Sequence, residues 1–203
     1  MIRPTNRIEL LKLLPKHLTW CEVGVLRGEF SQAILNQCQP HHLHLVDPWC
    51  GPYPWHDDKL KIDEMTYGLD NLRETTSRFM GRHEVSIWRT TSAEWWQRTP
   101  CLDAIYIDGG HDYATVAIDL EGALRAIRKQ ARNVSGWILG HDYCEGGVMS
   151  GVRRAVDEFC EEHRLELWAL TDEPLAAVHR VSEADKLRPE EVAYNSFAIE
   201  VRR

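Results

Sequence analysis

An acidic residue, then glycine, three residues and a second glycine, Glu22-Val23-Gly24-Val25-Leu26-Arg27-Gly28, constrains this chain more than any other feature. The stretch stands between Leu18–Trp20 and the helix-like Phe30–Leu35, and it reads as a tight turn from a strand into a helix. Glycine lets backbone N–H groups come close to a ligand, and a helix N-terminus favours negative charge. The Glu22 carboxylate can accept hydrogen bonds from a cationic or amide group. The pattern is not the G-x-G-x-x-G of dinucleotide binding, and no Gly-Lys-Ser/Thr follows, so it is not a phosphate-binding P-loop.

About twenty residues on, the apolar run His44-Leu45-Val46 ends in Asp47. An acid at the end of the second strand of a nucleotide-binding βαβ unit can hold both ribose hydroxyls. A lone Asp before Pro48 also suits a turn. The distance from the glycine turn favours the ribose reading.

The 203 residues, 27% charged and 43% apolar, suit a single globular domain spanning 1–203. The net charge of −7, with cationic density confined to Arg125–Arg132 and Arg202-Arg203, disfavours a nucleic-acid partner. No apolar run reaches the length of a membrane span and no leader pattern opens the sequence, so a soluble cytoplasmic protein is expected. The six cysteines include no C-x-x-C pair and read as reduced core thiols. Trp49, Trp55, Trp95 and Trp96 fall in loops or at element ends, where pocket lining and ordinary packing are both open.

Short apolar strands alternate with amphipathic helices, which predicts an α/β fold: a doubly wound, mostly parallel sheet with helices on both faces. Strands are expected near Thr19–Val23, His42–Asp47, Val85–Thr90, Ala104–Asp108, Trp137–His141, Glu166–Thr171 and Ser196–Val201. Helices are expected near Ile8–Leu14, Ser31–Gln37, Thr66–Met80, Tyr113–Arg132 and Val148–Arg164. The proline- and aromatic-rich run Trp49–Asp58, leading into Thr66–Met80, reads as a lid over 49–80 beside the C-terminal strand ends, with a plain surface excursion as its competitor.

Two further apolar strands end in chemistry. One is Ile105-Tyr106-Ile107-Asp108-Gly109-Gly110-His111-Asp112-Tyr113, and the other is Gly136-Trp137-Ile138-Leu139-Gly140-His141-Asp142-Tyr143. As parallel neighbours they would bring Asp108, His141 and Asp142 to one sheet edge. Two carboxylates and an imidazole suit a divalent cation. Oxygen ligands favour Mg²⁺ or Mn²⁺, and the histidine tilts the choice toward Mn²⁺ or another transition metal. Turn and helix capping is the alternative, above all for Asp112.

Together these motifs resemble class I S-adenosylmethionine methyltransferases, and within them methyltransferase family 24. The family pattern D-x-x-x-x-D-G-x-H-x-Y, then G-G-x-x-x-x-D-D-Y, is similar to residues 103–113 and 135–143, and the resemblance covers about Trp20–Phe159. It implies a seven-stranded Rossmann-like sheet whose last strand runs antiparallel beside the fifth. It implies S-adenosylmethionine as cofactor, met by Glu22, Gly24, Gly28, Ser31, Asp47, Ser92, Ala93 and Asp108, with Ser92-Ala93-Glu94 near the adenine. Metal-dependent sugar and small-molecule O-methyltransferases are similar in these motifs. Carried across, Asp108, His141 and Asp142 are the metal ligands, and His111 is the candidate general base. The chain departs from the pattern at His141, which replaces an acid, and at Ser135-Gly136, which replaces Gly-Gly.

The expected activity is methyl transfer to a hydroxyl of a small molecule, assisted by a divalent cation, with a homodimer open. A metal-independent N- or carboxyl-methyltransferase and a non-catalytic cofactor-binding module are the alternatives.

Overall fold

The computed structural model describes residues 1–50, 64–129, 135–144, 150–173 and 193–202. Its strands are β1 (Thr19–Val23), β2 (His42–Asp47), β3 (Val85–Arg89), β4 (Ala104–Ile107), β5 (Gly136–Tyr143), β6 (Leu167–Leu170) and β7 (Asn195–Val201). Its helices are α1 (Arg7–Lys12), α2 (Glu29–Cys38), α3 (Glu64–Arg78), α4 (Ser92–Trp96), α5 (Tyr113–Lys129) and α6 (Ser150–His163).

The strands form one sheet in the order β3-β2-β1-β4-β5-β7-β6. β1 pairs in parallel with β2 and β4, β2 with β3, and β4 with β5. β7 alone runs against its neighbours, antiparallel to both β5 and β6. This is the expected doubly wound sheet with its antiparallel insertion.

Burial on both faces explains the unbroken apolar runs: all four residues of β4 are buried, as are the last four of β1. Successive side chains point to opposite faces. Trp20, Leu45, Tyr106 and Leu139 pack with Leu10 and Leu11 of α1 and Ile34 of α2. Cys21, Ile105 and Ile138 pack on the other face with Trp95 and Trp96 of α4, Leu120 and Leu124 of α5, and Val156 of α6. The strand order reverses direction at β1 and β4, and open α/β sheets bind ligands at the C-terminal edge of such a switch point.

The structure adds detail to these expectations and corrects some of them. α4 is an additional helix, capped by the Thr91 side chain, which accepts from the Glu94 N–H. Cys21, Cys38 and Cys144 are buried, but Cys50 and Cys101 are exposed. Trp49, Trp95 and Trp96 are core residues. Residues 51–63 of the expected lid, with Trp55, and 174–192 of the link into β7 lie outside the described residues. Asp112 does cap α5, its carboxylate accepting from the Thr115 N–H at 3.0 Å. Among the described residues, no helix is long and apolar enough to cross a membrane.

Candidate active site

The turn after β1 is held from several sides. Asp47, at the end of β2, accepts hydrogen bonds at Oδ2 from the N–H groups of Val25 (2.9 Å) and Leu26 (3.0 Å). Its Oδ1 accepts from the Trp49 N–H at 2.6 Å. The Leu26 carbonyl accepts from the Trp49 indole at 2.8 Å and from the Thr75 hydroxyl of α3 at 3.0 Å. Leu26 sits at φ 52°, a left-handed backbone that a branched residue adopts only when its surroundings hold it there. The α3 end of the expected lid is therefore a buttress for the turn, and Arg27 reinforces it through Asn71 at 3.1 Å.

Both glycines are required by this packing. Gly24 has φ 86°, and a Cβ there would lie 2.0 Å from the Asp108 carbonyl oxygen, because the turn runs directly against the end of β4. Gly28 has φ 74°, and a Cβ there would meet the Phe79 ring at 2.7 Å. Gly28 opens α2 with no side-chain cap on the helix N–H groups.

Glu22 is buried at the base of the turn and accepts a hydrogen bond from Ser31. Burial, with the nearby Asp108 charge, pushes its carboxyl up to about 8 against the pull of the Ser31 bond. Asp47 is also raised by burial, which its three backbone donors only partly offset. Ser92 turns inward from α4 to hydrogen-bond Asp119, while Ala93 is exposed. Asp119 also accepts from the Trp96 indole at 2.8 Å, and burial pushes its carboxyl up to about 6.

At the adjacent edge, β4 and β5 deliver the second group. The register of β5 against β7 shifts between Gly140 and Tyr143, and Asp142 takes a left-handed backbone at φ 59°. A bulge of this kind re-aims side chains, and here consecutive residues both serve the site. His141 Nδ1 lies 3.1 Å from Asp142 Oδ1 and 3.8 Å from Asp108 Oδ1. His111 Nε2 lies 2.8 Å from Asp142 Oδ2. Together with Gly110 and Phe197, these residues line a small concavity.

The charges are mutually tuned. Burial alone would raise the Asp142 carboxyl, but the hydrogen bonds from His111 and His141 hold it well below the usual carboxylate range. Burial keeps Asp108 raised, against the pull of His141 and Arg7. Burial would lower His141, yet its bond to Asp142 and the Asp108 charge raise it.

Sequence reasoning missed Arg7. From the first turn of α1 its guanidinium reaches Asp108 Oδ2 at 3.3 Å and lies 4.7 Å over the Phe30 ring. Nothing local marks it, since its partner is 101 positions away.

Asp108, His141 and Asp142 each offer a ligand atom, all within 4.8 Å of one another, so the donor set fits one divalent cation with mixed nitrogen and oxygen ligands. The turn fits a nucleoside cofactor by its place: it lies at the C-terminal edge of the switch point between β1 and β4, with the Asp47 carboxylate at the end of β2 beside it.

No curated protein matches the sequence. Among solved structures, the chain is similar to the N-methyltransferase NodS from Bradyrhizobium japonicum WM9, at 10% identity and TM-score 0.58, covering 97% of this chain and 93% of that one. It is also similar to precorrin-6y C5,15-methyltransferase from Geobacter metallireducens GS-15, at 17% identity and TM-score 0.57, over 96% and 85% of the two chains. A third is a Streptococcus mutans protein assigned as a methyltransferase and solved with SAH, at 11% identity and TM-score 0.57, over 98% of each chain. At these identities the likeness establishes the fold. The family model described as a methyltransferase domain matches residues 21–143. That span runs from the buried β1 through the glycine turn to the Asp142 bulge, and on it the chain belongs to the methyltransferase-domain family.

Proposed function

We propose that this methyltransferase moves a methyl group from S-adenosylmethionine to a hydroxyl of a small molecule, assisted by a divalent cation, Mg²⁺ or Mn²⁺. One observation carries the reading: Asp108, His111, His141 and Asp142 converge at the ends of β4 and β5, next to the glycine turn.

Bound, the cofactor supplies a methyl made electrophilic by positive sulfur, and the cation supplies charge that lowers the pKa of the acceptor hydroxyl. The residues of the chain do the rest. Asp47, with Ser92 and Ala93, holds the nucleoside end, and Gly24 and Gly28 keep the turn close. Glu22, Ser31 and Asp108 stand toward the methyl-bearing end. Asp108, His141 and Asp142 hold the cation. His111 takes the hydroxyl proton. Its Nε2 lies 2.8 Å from Asp142 Oδ2, a contact that orients the imidazole. Alignment and proton removal are what such a transfer asks of the protein. The acidic net charge of −7 supports a small-molecule acceptor over a nucleic acid.

A second reading is metal-independent. Arg7 on Asp108, and the two imidazoles on Asp142, supply positive or hydrogen-bonding partners to the same carboxylates without an ion. Turnover to S-adenosylhomocysteine with sugar and phenol acceptors, before and after EDTA, separates the two. The metal-assisted reading expects loss of rate and recovery with Mg²⁺ or Mn²⁺. A rate indifferent to chelation leaves the metal-independent one, and cofactor binding without turnover on any acceptor makes the chain a binding module.

A further inference from the structure

The geometry points to Arg7 as the anchor for the carboxylate at the methionyl end of the cofactor. The inference rests on the cofactor reading above and adds the residue that distinguishes an intact methionyl group from a decarboxylated one.

The order β2-β1-β4-β5 along the sheet lays out the ligand. Asp47 ends β2 and marks the ribose side. Glu22 belongs to β1 and Asp108 follows β4. The His111–Asp142 pair stands beyond, against β5. A ligand whose ribose lies at β2 and whose methyl faces β5 places its amino-acid end over β1 and β4. That end carries both a carboxylate and an ammonium. Acids suited to the ammonium are present in Glu22 and Asp108. The complementary cation is Arg7.

Its position is built. The backbone N–H of Arg7 donates to Glu173 Oε1 at 3.1 Å, and the Asn6 side chain caps α1 through the N–H groups of Ile8 and Glu9, both at 3.0 Å. The side chain then crosses the Phe30 ring to Asp108, with the Tyr106 hydroxyl as a further hydrogen-bond partner. A guanidinium has five N–H donors in a planar fork, more than these two partners use, and the Arg7 side chain is 35% exposed. The donors left over favour a carboxylate at this point.

The test is titration calorimetry of the full chain with S-adenosylmethionine and with decarboxylated S-adenosylmethionine, which lacks only the carboxylate. The wild-type protein is expected to prefer the intact cofactor by about tenfold to a hundredfold, the range of a charge-assisted hydrogen bond. Arg7→Gln is expected to lose most of that preference while binding the decarboxylated compound about as well as before. Arg7→Lys, which keeps the charge without the fork, is expected to fall between them. A folded Arg7→Gln protein with the wild-type preference overturns the inference and leaves the cofactor reading standing. So does a wild-type protein that binds both compounds equally, which needs no variant to fold. A wild-type protein that binds neither overturns both.

Discussion

Nε2 of His111 lies 2.8 Å from Oδ2 of Asp142, which joins the loop after β4 to the bulge in β5. Both side chains are about one-tenth exposed, so the contact is shielded and the imidazole orientation is fixed before an acceptor arrives. His111→Ala should lower kcat by about 10²–10⁴, the usual contribution of a positioned proton acceptor. Calorimetric affinity for S-adenosylhomocysteine should stay unchanged. A variant that loses cofactor affinity and turnover together would make His111 a scaffold residue.

Asp47 satisfies the N–H groups of Val25, Leu26 and Trp49, so its removal should cost fold stability as well as cofactor affinity. Asp47→Ala leaves three donors without their acceptor. It should destabilise the ligand-free protein by about 1–3 kcal/mol, lowering Tm by roughly 2–4 °C for each. Asp47→Asn, which keeps one oxygen, should lose less. Thermal melts without cofactor are the check. An unchanged Tm for Asp47→Ala would mean that the carboxylate does not hold the turn.

Gly24→Ala tests a backbone contact. The added Cβ would lie 2.0 Å from the Asp108 carbonyl oxygen, at φ 86°. Overpacking and the unfavourable backbone together should cost about 1–3 kcal/mol or more. Denaturant unfolding of the ligand-free protein should show it. Full stability with lost cofactor binding would instead make ligand approach the reason for the glycine.

Glu22 makes stability depend on pH with a definite sign. Its carboxyl rises from 4.5 to about 8 on folding, chiefly through burial. Between those values the native state keeps a proton that the unfolded chain has released, so stability falls as pH rises through the window. Glu22→Gln removes that slope and keeps an acceptor for Ser31. Urea midpoints at pH 5 and pH 8 should therefore converge on, or cross in favour of, the variant at the higher pH. Parallel profiles would show that Glu22 is already ionised in the fold.

The sheet was legible because its signals are local. β1, β2 and β4 are apolar runs ending in Gly24, Asp47 and Asp108, and the helical spacing of Val116, Leu120, Leu124 and Ile127 marks α5. The convergence of Asp108 with His141 and Asp142 followed from treating β4 and β5 as parallel neighbours, which they are. Other features had no local signal. α4 is five residues long, too short for a helical period to show. The bulge at Gly140–Tyr143 depends on pairing with β7, more than fifty positions later in the chain. The turn-holding roles of Trp49 and Thr75, like the Arg7–Asp108 pair, are contacts between distant segments. A sequence shows the residues of such contacts and not their meeting.

The most direct test of the central claim is a crystal structure of the protein with S-adenosylhomocysteine. The adenosine should lie along the glycine turn, with its ribose at Asp47 and its adenine beside Ser92 and Ala93. The sulfur should sit at Asp108, facing His111 and Asp142. A ligand bound at this edge with its sulfur turned away from those residues, or bound elsewhere on the molecule, would contradict the account.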